Sequence, residues 1–156
     1  MPNKVITNLC IVYQHPRVLL GMKKRRFGVG KWNGYGGKIE GDESIEESLF
    51  REVKEEADID IHNPEKLGII EFTFVETGLV IENHIYKVTN FSGEPIETEE
   101  MRPEWFHVDS IPFKDMWADD PYWMPLFLQG KKFKGKFTFG KDDIILGKEL
   151  EEVENL

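Results

Sequence analysis

The chain has 156 residues, 40% of them hydrophobic and 12% aromatic. That length suits one domain, residues 1–156, burying roughly 68–70% of its unfolded surface without a disulfide or structural metal. Twenty basic residues against 29 acidic ones give a net charge of −9, which argues against sequence-independent binding of DNA or RNA. A small anionic ligand remains compatible if cations are recruited locally. The lone Cys10 has no internal disulfide partner, no apolar stretch is long enough to span a bilayer, and Met1 to Lys4 is no signal peptide. The expectation is a cytoplasmic monomer without membrane or polymer partners.

In chain order, Val5 to Tyr13 alternates as a strand, with Val5, Leu9, Ile11 and Tyr13 mostly on one face. Arg17 to Met22 forms a second strand after the His15-Pro16 turn. Phe27 to Asp42 holds six of the 14 glycines, a loop where backbone conformation matters more than side-chain packing. Ser44 opens a helix through a capping box with Glu47, and the helix runs to about Ala57. Leu67 to Glu76 and Leu79 to Thr89 pair around Thr77-Gly78. Pro103 to Val108 is a short strand and Pro121 to Gln129 a second helix. Lys132 to Phe139 and Ile144 to Leu150 close a last hairpin around Gly140 to Asp143. Strands outnumber helices and join mostly by hairpins, so the fold class is mixed α+β and not a doubly wound parallel sheet.

The first helix carries the chemical signal. At 3.6 residues per turn, Ile45, Leu49, Phe50, Val53 and Ala57 form an apolar stripe. Glu55 points towards solvent, Glu52 lies at the stripe's edge, and Glu56 projects inside it. A carboxylate on an apolar stripe must be neutralised, paired or metal-bound, because burying it bare costs several kcal/mol. Glu52 and Glu56 are also a like-charge i,i+4 pair, which destabilises a helix. A hard divalent cation resolves both conflicts, and all-oxygen donors favour magnesium, with manganese as a substitute. Upstream, Gly36-Gly37 lets the backbone approach a metal or phosphate closely, and Lys23 and Lys38 supply positive charge for a polyphosphate.

Gly37, Glu43, Arg51-Glu52-Val53, Glu55-Glu56 and Ile59 fall in the spacing of the Nudix box, G-x5-E-x7-R-E-U-x-E-E-x-G-U, with U a bulky aliphatic. Eight of its nine specified positions match. The departure is Asp58 in place of glycine, at the left-handed residue that ends the helix. Aspartate is among the few residues tolerated there, so some stability is forfeited but not activity. The resemblance implies a mixed sheet flanked by helices, with Glu52, Glu55, Glu56 and the Gly36 carbonyl ligating magnesium. It implies that Arg51 orients the carboxylates through Glu43, and that water attacks a phosphorus of a nucleoside diphosphate derivative.

Outside the box the chain is similar to the animal-type oxidised-purine nucleoside triphosphatases, MutT relatives, over essentially its whole length. The likeness is densest from Arg17 to Lys24, Gly30 to Gly34, Glu100 to Pro103 and Ile111 to Asp120. It implies hydrolysis of 8-oxo-dGTP and 2-hydroxy-dATP to monophosphate and pyrophosphate, which cleans the nucleotide pool. Phe27, Phe72 and Trp117 would sandwich the purine, and Asn33, Asp119 and Asp120 would hydrogen-bond it, with Lys23 beside the pocket. Tyr35, Gly36, Gly37 and Lys38 would contact substrate, and Glu100 would join the metal site or assist the water. Two positions depart from the family: Asn8 replaces a threonine and Ile81 a methionine, both expected at the nucleoside. The aspartate pair also fits an ordinary helix start, Asp120 capping and Pro121 in the first turn. Hydrolysis of another nucleoside diphosphate derivative, and a catalytically silent nucleotide sensor, are the competing functions.

Overall fold

A computed structural model describes residues 4–156. The expectation about a signal peptide falls partly on residues 1–3, outside this range. Ten strands and two helices follow in the order β1 (Lys4–Gln14), β2 (Arg17–Lys23), β3 (Trp32–Asn33), α1 (Ile45–Ala57), β4 (Asp60–His62), β5 (Glu65–Phe74), β6 (Leu79–Val88), β7 (Asn90–Ser92), β8 (Met101–His107), α2 (Asp120–Leu128), β9 (Lys132–Phe139) and β10 (Ile145–Val153). The main sheet runs β10-β9-β5-β6-β1-β2-β3, with β8 on the far side of β2, and β4 pairs β7 separately. β1–β6 and β5–β9 are parallel and the other pairs antiparallel, giving the mixed sheet expected.

Alternation along β1 feeds two cores on opposite faces of the sheet. Leu9 and Ile11 join Trp123, Met124 and Phe127 of α2, while Cys10 and Val12 join Leu49, Val53 and Ala57 of α1. A strand covered on both faces reads as a nearly unbroken apolar run, as Leu9 to Val12 does. β8 starts earlier than expected and contains Pro103, which an edge strand tolerates because it need not donate a ladder hydrogen bond.

The site exists because β1 splays. Its last residues pair with β2, Val12 opposite Leu19. Its earlier residues turn instead to the glycine-rich loop, with bridges Cys10 to Tyr35 and Thr7 to Lys38. Gly34 fits this wedge for lack of a side chain, since a Cβ would lie 2.6 Å from the Cys10 carbonyl. The loop is thereby pinned against the sheet immediately before α1.

Both capping-box hydrogen bonds at Ser44 and Glu47 are present. At the other end Asp58 adopts φ 57, ψ 39 and donates its amide to Lys54, the left-handed stop expected where the pattern has glycine. Phe50, placed on the apolar stripe by the helical wheel, is instead exposed. Leu49, Val53 and Ala57 make the buried contact, and Phe50 lies 100° around the helix from Leu49, past the edge of the contact.

Candidate active site

Glu56 is buried at 3% exposure on the sheet-facing side of α1. Its Oε1 accepts the Gly36 amide at 2.9 Å, and the Lys23 ammonium stands 3.8 Å from its Oε2. The same ammonium lies 3.9 Å from Glu100, so β2, the glycine loop, α1 and the start of β8 converge on one point. Burial pushes the Glu56 carboxyl up to about 8, opposed by the Gly36 amide and Lys23 and reinforced by Glu52 and Glu100. Glu52 is also raised, mainly by burial. Glu100 is held below the usual carboxylate range by its hydrogen bond from Arg25.

Arg51 holds this end rigid. Its guanidinium donates to Glu43 at 2.6 and 3.0 Å, to Glu52 at 3.0 Å, to Glu55 at 3.3 Å and to the Lys38 carbonyl at 3.2 Å. Gly37 needs its bare Cα, because a Cβ would meet the Glu52 carboxyl at 2.6 Å. The wheel's ordering holds: Glu56 is deepest, Glu52 partly buried, and Glu55 has 57% of its side chain exposed.

These donors fit a hard divalent ion. A nearly buried carboxylate flanked by two like charges, with a single lysine for relief, is the environment a cation stabilises. Among the described residues no three His, Cys, Asp or Glu side chains are gathered tightly enough to grip an ion unaided.

Elsewhere Asp119 and Asp120 are buried at 3% exposure each. Asp119 accepts the Trp123 indole N–H at 2.7 Å. Asp119 is raised to about 6 by burial, with the Trp123 bond working in the opposite direction. Asp120 is raised further, by burial and then by its neighbour's charge, and its Oδ2 has no hydrogen-bond partner. Asp119 occupies the cap position of α2 but makes no side-chain cap bond, and Asp120 lies inside the first turn. Neither carboxyl therefore caps the helix as an ordinary helix start would have it.

A single cavity of about 580 Å³ is lined both by Glu52, Glu56 and Glu100 and by Trp117, Asp119 and Asp120. The volume lies in the range of small-molecule sites. Asn33, Gly36, Gly37, Lys38, Phe27, Phe72 and Ile81 also reach it as expected. The expectation for Tyr35 needs correction, while Phe27, Trp117 and Asn8 line the cavity in arrangements the sequence did not show. Phe27 and Trp117 stack directly on each other, centroids 5.2 Å apart, leaving no gap for a base between them. Tyr35 is fully buried in the core beneath α1 and does not line the cavity, because strand alternation turns it towards Cys10 and away from Gly36. Asn8 touches the cavity, but its amide is engaged elsewhere, accepting from Gly37 at 3.1 Å and donating to the Ile45 carbonyl at 3.2 Å.

Val5, Thr7, Leu9, Arg26, Phe74, Asn83 and Phe139 line the cavity without having been singled out as site residues. The alternation of β1 already placed Val5 and Leu9 on one face, and with them Thr7. Asn83 and Phe139 come from other strands, and only pairing across the sheet brings them there.

Fold and site together define a class of protein: a mixed-sheet domain that turns a loop-helix-loop of carboxylates towards a nucleotide-sized cavity. The NUDIX domain profile matches residues 4–127, and the chain belongs to the Nudix family. It is 49% identical over 154 residues to an oxidized purine nucleoside triphosphate hydrolase of Danio rerio, covering 99% of this chain and 98% of the relative. It is 47% identical over 155 residues to the Mus musculus hydrolase of the same name, covering 99% of each. A MutT protein from Bacillus halodurans superposes with a TM-score of 0.84 at 32% identity, over 94% of this chain and 97% of that one. Nudix hydrolases generally need divalent metal ions.

Proposed function

We propose that this chain hydrolyses oxidised purine nucleoside triphosphates to the monophosphate and pyrophosphate, with magnesium as its metal. The observation that carries the reading is a single cavity lined both by a glutamate cluster and by a buried carboxyl pair among aromatic rings. Phosphates suit the first set and a hydrogen-bonding base the second. The full-length similarity to two hydrolases named for this substrate class supports the choice of base.

In this reading Glu52, Glu55, Glu56, Glu100 and the Gly36 carbonyl would hold the metal, which when bound would supply water activation and charge compensation for the phosphates. Arg51 fixes the carboxylates and Lys23 contributes positive charge next to the phosphates. Gly36 and Gly37 let the backbone come close. Asp120, protonated, donates to the base while ionised Asp119 accepts, and Phe27, Phe72 and Trp117 provide apolar faces. The same proposal takes residues 1–156 as one cytoplasmic domain acting as a monomer on free nucleotides. One sheet bearing both cores and a lone buried cysteine support it. No helix is long and apolar enough to cross a membrane.

Pyrophosphate release over a panel of normal and oxidised nucleotides, dinucleotide polyphosphates and nucleotide sugars tests this. The expected result is a kcat/KM for 8-oxo-dGTP at least ~10-fold above that for dGTP, because a site built on hydrogen bonds penalises a base that leaves them unmade. Orthophosphate as the first product, or no turnover with tight nucleotide binding, would overturn the reading.

A further inference from the structure

The C-terminus of α1 is closed by the segment that carries Glu100. The last carbonyls of a helix have no partner within it. Here the Ile96 amide donates to the Ala57 carbonyl at 3.1 Å, and the Thr98 hydroxyl donates to the Glu56 carbonyl at 2.9 Å. The same hydroxyl oxygen accepts the Glu100 amide at 3.2 Å and the Met101 amide at 3.3 Å. One proton given and two lone pairs filled use the whole hydrogen-bonding capacity of a threonine side chain.

A single oxygen atom thus ties together two carboxylate-bearing residues from different elements. Glu56 sits in the last turn of α1, and Glu100 immediately precedes β8. Their carboxyl groups meet at the Lys23 ammonium, 3.8 Å from one and 3.9 Å from the other. Two further hydrogen bonds hold Glu100: its carbonyl accepts the Lys24 amide at 2.9 Å, and its carboxyl accepts from Arg25. Both come from the end of β2 and the loop after it. Of the hydrogen bonds to Glu100, only the one to Thr98 continues into α1. Thr98 does not line the cavity, so its hydroxyl acts there through the residues it holds.

We infer that Thr98 is a positioning residue, whose hydroxyl holds Glu100 in place beside Glu56 for a shared divalent cation. This rests on the function proposed above, in which both carboxylates would hold the metal. Hydrogen bonds that orient a metal's ligands govern affinity and turnover without touching the ion, because they set where the donor atoms stand before it arrives.

The test uses Thr98→Val, which keeps the shape of the side chain and removes all three hydrogen bonds, and Thr98→Ser, which keeps the hydroxyl. Manganese replaces magnesium as the probe and is titrated into the nucleotide-free protein well below the Tm of each variant. Thr98→Val should weaken manganese binding about 10-fold and lower kcat on 8-oxo-dGTP about 10-fold, the lower end of the range for losing a ligand-orienting partner. KM should change less than about 2-fold, since the groups proposed to bind the base are untouched. Thr98→Ser should return all three quantities towards the wild type. The same substitution is then made on Glu100→Gln. If Thr98 acts through Glu100, adding Thr98→Val to that variant costs no further manganese affinity, because the two residues form one unit and their effects do not add. A hydroxyl that only fastens the segment to α1 would lower Tm and either leave manganese affinity unchanged or reduce it by the same factor in both backgrounds. Each of those results would overturn the inference, as would a manganese affinity that Glu100→Gln leaves intact. If the wild type hydrolysed no nucleotide, the function proposed above would fail, and the manganese affinities would still decide the role of Thr98.

Discussion

Glu56 of α1 accepts the Gly36 amide at 2.9 Å, and Gly36 can occupy that spot because a Cβ there would fall 2.1 Å from the Asn8 carbonyl. One contact thus fastens the carboxylate helix to the glycine loop, and the loop to β1. It also holds a carboxylate where burial raises its pKa to about 8.

Glu56→Gln keeps an oxygen to accept the Gly36 amide, so the fold should persist. Turnover should fall at least ~10²-fold, the scale of a lost electrostatic contribution. The wild-type carboxyl is raised from 4.5, so its stabilising contribution is complete below about pH 4.5 and lost as pH climbs through about 8. Without metal, the variant should therefore melt higher than the wild type at pH 9 by at least roughly 2–4 °C, about 1 kcal/mol for a chain of this size. Near pH 4 the gap should vanish. Near-normal magnesium-dependent turnover in the variant would remove Glu56 from the metal site.

Asp58→Gly addresses the other end of α1. Asp58 holds φ 57, a left-handed conformation that costs an L-residue roughly 1–2 kcal/mol and glycine almost nothing. Glycine's greater unfolded-state freedom cancels part of this, so a net gain of up to about 1 kcal/mol is expected in chemical denaturation, with kcat/KM unchanged. A loss of stability would show that the Asp58 side chain, 3.4 Å from the Lys54 ammonium, matters more than its backbone.

The loop-helix-loop was legible in the sequence because local rules write it. Ser44 and Glu47 cap the helix, and Glu56 on the wheel's apolar arc marks a carboxylate with a purpose. Asp58 at the stop was readable from backbone preference alone. β3, β4 and β7 were not foreseen, since two or three residues carry no period and are held by their partners. Tyr35 was misplaced for a related reason: adjacency to Gly36 in sequence says nothing about which face of a wedge the ring takes. The stacking of Phe27 on Trp117 joins residues 90 positions apart and needed the fold to be seen.

That stack makes its own prediction. A purine needs about 7 Å between two aromatic faces, and Phe27 stands 5.2 Å from Trp117, so Phe27 must move for the base to sit between them. Phe27 is 59% exposed, so its displacement uncovers little of the core. Phe27→Ala should raise KM roughly 3- to 10-fold, the value of one aromatic contact of about 0.5–1.5 kcal/mol, with kcat little altered. Titration with 8-oxo-dGMP should quench tryptophan fluorescence in both proteins. An unchanged KM would place the base away from Phe27.

The buried aspartates carry the last prediction. Trp123 donates to Asp119 and favours its ionised form, while nothing donates to Asp120 Oδ2. The shared proton therefore resides on Asp120 near neutral pH, giving the base one donor and one acceptor. Both carboxyls are raised from 3.8, so their stabilising contribution is full below about pH 4 and is lost as pH rises through about 6 for Asp119 and higher for Asp120. Asp120→Asn removes that titration and the like-charge neighbour, so its stability should decline less between pH 4 and pH 8 than the wild type's. Asp119→Asn acts on recognition. Its amide oxygen can still accept from Trp123, which turns the NH2 towards the base and replaces an acceptor with a donor. Oxidised guanine and oxidised adenine present different edges to that reversed pattern. kcat/KM for 8-oxo-dGTP and 2-hydroxy-dATP should therefore fall by factors that differ at least ~10-fold, the equivalent of one mismatched hydrogen bond. Equal losses on both bases would mean that the pair supports the pocket without reading its contents.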